Sequence, residues 1–245
     1  MAKRRERPGR RVQLHRALSK LGWGSRGQAW GWIVAGEVRV DGRIVTDPLA
    51  WVDLDQQRIT RNDQDTPPSA GALTLALYKP RGIVTTRRDE RGRRTVYDLL
   101  PSDLPWIFPV GRLDADSEGL LILTTDAALA VRLTEPEHHV HKTYHVTLTG
   151  RPSAEELDQL RDGIELADGR TRPATVRLLQ ADDKGSVLEI VLTEGRNRQI
   201  RRMAAAIGQR VRRLVRVAIG SYRLGDLTPG AYRPLDAADR ESLLQ

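Results

Sequence analysis

The sequence reads as an α+β chain in two parts, and three observations carry that reading. Two helix-period segments followed by an alternating hairpin make up the N-terminal part. A polar stretch bearing Pro67 and Pro68 then interrupts the pattern. Beyond it, strand patterns and capped helices run through a longer region with its own apolar positions. The expected organisation is a basic arm at 1–10, a small helix-helix-hairpin domain at 11–58, a linker at 59–71, a larger domain at 72–235 and a C-terminal tail at 236–245.

The opening MAKRRERPGRR carries six basic side chains against Glu6 and too little apolar surface to offset the entropy of ordering, so it is expected to be mobile. An RNA-touching tail, a solubilising end and an Arg-rich transit peptide all fit it. Leu14, Ala17, Leu18 and Leu21 then recur at helical spacing, with Arg16 and Lys20 turned away. Gly22 and Gly24 end that helix. Ser25 can cap a second one carrying Ala29, Trp32 and Ile33, closed by Gly36. EVRVDGRIV reads as a hairpin turning at Asp41-Gly42. Of Trp23, Trp30 and Trp32, at least two are expected in the core rather than against bases. Gly22 to Gly27 also fits G-x-G-x-x-G, but a helix, not a buried strand, leads into it, which argues against dinucleotide binding.

In the longer part, LTLALYKPRGIVTT is a strand pattern broken at Lys79-Pro80-Arg81-Gly82. Arg87, Arg88, Arg91, Arg93 and Arg94 follow on a loop, either a solvated face or a phosphate rail. Leu120 to Leu123 form an unbroken apolar run that reads as a strand buried on both faces, with a buried helical segment as the alternative. Directly ahead stand Gly111, Arg112, Asp114, Asp116, Ser117, Glu118 and Gly119, polar groups on a loop that a rigid element can aim. Alone, Asp114 is a turn aspartate as readily as a reactive one. Asp126 can cap a helix stopped by Pro136, and Ser153 with Glu156 forms a capping box for another. YHVTLTG and VLEIVLTE alternate as strands, and EGRNRQIRRM follows the second. His138, His139 and His141 lack a convincing fourth ligand, so no metal site is expected.

The 245 residues are enough for one large or two smaller cores, and the formal charge of +8 favours a polyanionic partner such as nucleic acid. Without cysteine there are no disulfides, thiolate nucleophiles or Cys-based zinc sites. No run is long enough for a membrane span and no apolar signal core opens the chain, so a soluble cytoplasmic protein is expected.

Four segments taken in order, Y-K-P-x-G at 78–82, G-R-L-D at 111–114, K-x-Y at 142–144 and E-G-R-N-R-Q-I-R-R-M at 194–203, resemble the rRNA pseudouridine synthases of the RsuA/RluB/RluE/RluF type. Residues 11–58 resemble the RNA-binding domain named after ribosomal small-subunit protein four, although Gly27 stands where that pattern has a second arginine beside Arg26. The resemblance implies a catalytic domain on a mixed, mostly antiparallel sheet. It implies Asp114 as the catalytic residue, Tyr144 stacking on the target base, and Arg201 paired with Asp114. It also implies uridine-to-pseudouridine isomerisation in ribosomal RNA, free or in a pre-ribosomal subunit, by a monomer without cofactor, metal or membrane partner. S-E-G at 117–119 and the later arginine motif look closer to large-subunit enzymes, with small-subunit rRNA as the alternative substrate and a non-catalytic RNA-binding ribosome-assembly factor as the alternative function. Arg112, beside Asp114, is placed to fill the gap left by a flipped base. Lys79, Lys142, Arg196 and Arg198 are expected to contact RNA, as are Arg26 and Arg16 in the small domain, and Arg210, Arg212, Arg213 and Arg216 fit either an RNA-facing wall or a solubilising surface. The carboxylate can act as nucleophile or as base, and sequence leaves both open.

Overall fold

The computed structural model describes residues 11–62, 64–65 and 73–245. The arm at 1–10 and the linker residues 66–71 lie outside them. The chain divides into two compact units, residues 1–73 with 104–107, and residues 74–103 with 108–245.

In the first unit β1 (Arg11–Gln13) leads into α1 (Leu14–Lys20), and α2 (Arg26–Val34) follows. The Ser25 hydroxyl accepts from Gln28 N while the Gln28 side chain accepts from Ser25 N, a complete capping box. Leu14, Ala17, Leu18, Ala29 and Ile33 form the core face. The hairpin is β2 (Val38–Val40) and β3 (Arg43–Ile44), turning at Asp41 and Gly42, both with positive φ. β4 (Trp51–Asp53) pairs with β1. Trp23 and Trp32 pack on this core, whereas Trp30 is exposed. The expected boundary at 58 is too early. β5 (Ile59–Arg61) pairs with β2, and β6 (Gln64–Asp65) with β5, because Ile59 fills the same core as Val40.

The second unit holds β7 (Thr74–Lys79), β8 (Phe108–Pro109), β9 (Glu118–Thr124), α3 (Ala127–Thr134), β10 (Lys142–Leu148), α4 (Ala154–Asp162), β11 (Thr175–Asp182), β12 (Gly185–Leu192), α5 (Gln199–Ala206), β13 (Val211–Ile219), β14 (Tyr222–Arg223), β15 (Tyr232–Pro234) and α6 (Ala237–Ser242). Among the described residues nine strands make one sheet, ordered β11-β12-β10-β13-β9-β7-β15, with β14 on β13 and β8 on β9. Its pairings are antiparallel except β9 with β13, where Glu118 and Gly119 face Val215 and Arg216. This is the mixed, mostly antiparallel α+β architecture expected. Leu120 to Leu123 are indeed a fully buried strand. Asp126 caps α3 through Ala128 N and Leu129 N, and Ser153 caps α4.

Residues 236–245 are not a tail. Asp236 caps α6, and Leu243 is fully buried in the cluster that contains Leu120 and Ile122. Among the described residues no helix is long and apolar enough to cross a membrane.

Candidate active site

The loop before β9 is clamped on several sides by the segment after β7. Gly82 N donates to Ala115 O at 2.7 Å, and the Thr85 hydroxyl donates to Leu113 O at 2.9 Å. The buried Lys79 ammonium donates to Ser117 O at 2.8 Å and to Pro80 O at 3.0 Å. Ser117 N closes a turn on Asp114 O. Leu113 is drawn into the core, and the next side chain, Asp114, lies in a cleft of about 480 Å³ with 28% of its side chain exposed. Such clamping holds a reactive group on rigid elements rather than on a free loop.

Burial pushes the Lys79 ammonium down to about 8, against the opposing pull of Asp114, Asp116 and Glu118. A side chain sealed in this way cannot reach RNA. The expected RNA contact at Lys79 is therefore corrected to a structural one.

The cations across the cleft come from the turn into α5. Arg198 sits at its N-terminus in the left-handed region, φ 49°, a conformation uncommon for a non-glycine residue and found often at functional sites. Two interactions hold that turn, Gln199 Nε2 donating to the buried Glu194 carboxylate at 2.6 Å and Arg196 N donating to Gln199 Oε1 at 3.1 Å. Arg198 then forms a two-pronged pair with Asp116, 3.0 Å on each arm, and its Nη1 lies 3.6 Å from Asp114 Oδ2. The Arg198 bond holds the Asp116 carboxyl below its ordinary range.

Arg201 does not pair with Asp114. Its Nη2 donates to Asp116 O at 2.9 Å, and its Nε lies 3.2 Å from Asp116 Oδ2 as an ionic contact without hydrogen-bond alignment. The sequence expectation is corrected accordingly: the cation beside Asp114 is Arg198, because the left-handed turn throws that side chain over the loop, while Arg201 lies one helical turn deeper.

Arg112 is exposed at the cleft, and Tyr144 and Lys142 line it from β10. Lys142 donates to Val140 O, and burial together with Arg216 pushes it down to about 8. Arg196 is another correction. Its guanidinium is committed to Glu194, to Gly169 O at 2.7 Å and to Arg170 O at 2.6 Å, so it builds the wall instead of meeting RNA. Arg16 and Arg26 are exposed on α1 and α2 of the first unit. Among the arginines expected to face RNA from β13, Arg212 is exposed and Arg213 pairs with Glu118. Arg216 is instead buried on the cleft wall, on the sheet face of Leu214 and of its register partner Tyr144. Among the described residues no group of three or more His, Asp and Glu is placed to hold a metal ion.

Residues 74–206 match the family model described as RNA pseudouridylate synthase, and residues 3–48 match the S4 domain. The chain belongs to the RNA pseudouridylate synthase family. It is 40% identical to an uncharacterized RNA pseudouridine synthase of Mycobacterium bovis over 98% of this chain and 95% of that one. It is 36% identical to ribosomal large subunit pseudouridine synthase B of Bacillus subtilis, covering 91% of each. Ribosomal large subunit pseudouridine synthase E of Xanthomonas axonopodis is 46% identical over 64% of this chain and 90% of that protein. A crystal structure of a pseudouridylate synthase superposes with a TM-score of 0.70 at 31% identity, covering 95% of this chain and 99% of that one. The family recognised from the four segments, its fold and its activity as a pseudouridine synthase therefore stand.

Proposed function

We propose that this synthase isomerises a specific uridine of ribosomal RNA, in the large subunit, acting as a cytoplasmic monomer on free rRNA or on an assembling subunit. The named large-subunit relatives from Bacillus and Xanthomonas support the substrate class. The observation that carries the chemistry is Asp114, a partly exposed carboxylate on a clamped loop, in one cleft with Tyr144 and with Arg198 at 3.6 Å.

Pseudouridine formation breaks the bond from ribose C1′ to uracil N1 and joins C1′ to C5 of the same base, with no net redox change. Asp114 either adds to the sugar or removes its C2′ proton, with Arg198 as the cation beside it in either role. Tyr144 supplies a face for the base to stack on. Arg112 fills the space the flipped base leaves, and Arg201 acts through Asp116 as a positioning residue for the loop.

The test is Asp114→Asn, which keeps size and removes the charge. With rRNA carrying tritium at uracil C5, wild type releases label and the variant releases none above background, at RNA affinity within about threefold. Label release by the folded variant at the wild-type rate would refute the assignment. Pseudouridine mapping with and without the gene identifies the target, and a missing modification in the small subunit would overturn the large-subunit assignment.

A further inference from the structure

Arg216 is 4% exposed, and Nε donating to Leu120 O at 2.7 Å is the only side-chain hydrogen bond it makes among the described residues. Its Nη2 is sealed from solvent with no partner. No described carboxylate comes within ion-pair distance of it, and the neighbouring ionisable side chain, Lys142, is another cation. A guanidinium buried with most of its donors unmade costs several kcal/mol unless a partner arrives from elsewhere. Such a partner has one route, because Arg216 lines the cleft that holds Asp114.

The position within the cleft selects the partner. Arg216 is the antiparallel partner of Tyr144, so both side chains project from the same face of the sheet. A base lying on the Tyr144 ring therefore presents its edge to Arg216. Backbone phosphates travel with their water and suit the exposed cations, Arg112 and Arg198. A planar base edge suits a donor recessed in the cleft wall.

We propose that Arg216 is a further catalytic residue, donating from Nη1, the arm of its fork that is not sealed, to a carbonyl oxygen of the target uracil. The proposal rests on reading this cleft as the uridine site. When the C1′–N1 bond breaks, its electron pair passes to N1 and spreads onto O2 and O4. Arg216 stabilises that charge without giving up a proton. The base then turns and uses the same electron pair to bond C1′ through C5, which releases the Asp114 carboxylate or takes back the C2′ proton it held; the C5 proton leaves to water and N1 takes one up. Donors fixed in advance where charge develops act on the transition state more than on binding.

Two variants of the full chain test it with rRNA tritiated at uracil C5 under single-turnover conditions. Arg216→Lys keeps the charge and a donor for Leu120 O but loses the Nη fork. Its rate should fall about 100-fold or more, with RNA affinity within about threefold and an unchanged salt slope. Arg216→Ala should regain about tenfold of its lost rate when millimolar guanidinium is added, which a structural role would not give. A wild-type rate in Arg216→Lys overturns the proposal. So does a loss confined to affinity with the salt slope lowered by about one, the mark of a phosphate contact.

The wild-type protein gives a readout independent of folding in either variant. Transcripts made with 2-thiouridine or 4-thiouridine place sulfur, a weaker acceptor, at one carbonyl position, and one of the two should be converted at least tenfold more slowly by nucleoside chromatography. Equal conversion of both with the oxygen substrate also overturns it. Asp114→Asn in parallel separates the two claims: if that variant is dead while Arg216→Lys is unaffected, only the Arg216 role fails.

Discussion

Replacing Gly119 by alanine tests the junction on which the cleft is built. Gly119 has φ +104°, and a Cβ there would lie 2.7 Å from Arg216 N and closer still to Arg216 O, backbone atoms that cannot rotate aside. The conformation itself costs an alanine about 1–2 kcal/mol. Relieving the clash requires β9 and β13 to separate where only Glu118 with Val215 and Gly119 with Arg216 are in register, so two backbone hydrogen bonds of about 1 kcal/mol each are forfeited. The sum is about 3–4 kcal/mol, and with a urea slope of about 2 kcal/mol per molar it lowers the midpoint by about 1.5–2 M. Gly169→Ala is the control, since its φ is +96° but nothing lies within 4 Å of its Cβ; it should cost only about 1 kcal/mol. All five tryptophans belong to the first unit, so far-UV circular dichroism must report the second unit while intrinsic fluorescence reports the first. A Gly119→Ala midpoint within 0.3 M of the control, a span of about 0.6 kcal/mol, would refute the reasoning.

Two further outcomes follow from buried charge. Lys79 holds its proton less tightly when folded, about 8 against 10.5, so the unfolded chain binds more protons across that window and stability should rise with pH through it, by about 2–3 kcal/mol. Subtracting the Lys79→Met curve isolates this from Lys142, which titrates in the same range; a flat difference would contradict the burial. Asp116→Asn removes the two-pronged partner of Arg198 and should lower single-turnover activity at least tenfold while costing only about 1 kcal/mol of stability, because the pair is partly exposed. Full activity in that variant would show that Arg198 holds its place without Asp116.

What was legible in the sequence was what short-range chemistry decides. Ser25, Ser153 with Glu156, Asp126 and the Asp41-Gly42 turn each marked an element from residues within four positions. Asp114 and Tyr144 in one cleft also followed from the order of the motifs. The partner of Arg201 did not, because it depends on the left-handed turn at Arg198 and on 85 residues of intervening chain. Lys79 and Arg196 carry the charge of RNA contacts, yet they spend it on carbonyl oxygens, and charge alone does not distinguish those uses. Arg216 reads like its exposed neighbours Arg212 and Arg213 because β13 is buried on both faces from Leu214 to Arg216 and bulges just after, which leaves no alternation to set it apart. Ile59 and Leu243 were assigned to a linker and a tail because a single buried side chain leaves little periodic signal.

The strand that carries Arg216 is also a matter of timing. β13 lies between β9 and β10 in the sheet, yet it is made long after both. A chain growing from its N-terminus can pair β7 with β9 and β10 with β12, giving two separate ribbons, one bearing the Asp114 loop and the other Tyr144. Only when residues 211–219 emerge are the ribbons joined. Until then the Asp114 loop and Tyr144 stand on ribbons that no strand pairing connects, and the cleft lacks the wall that Arg216 lines.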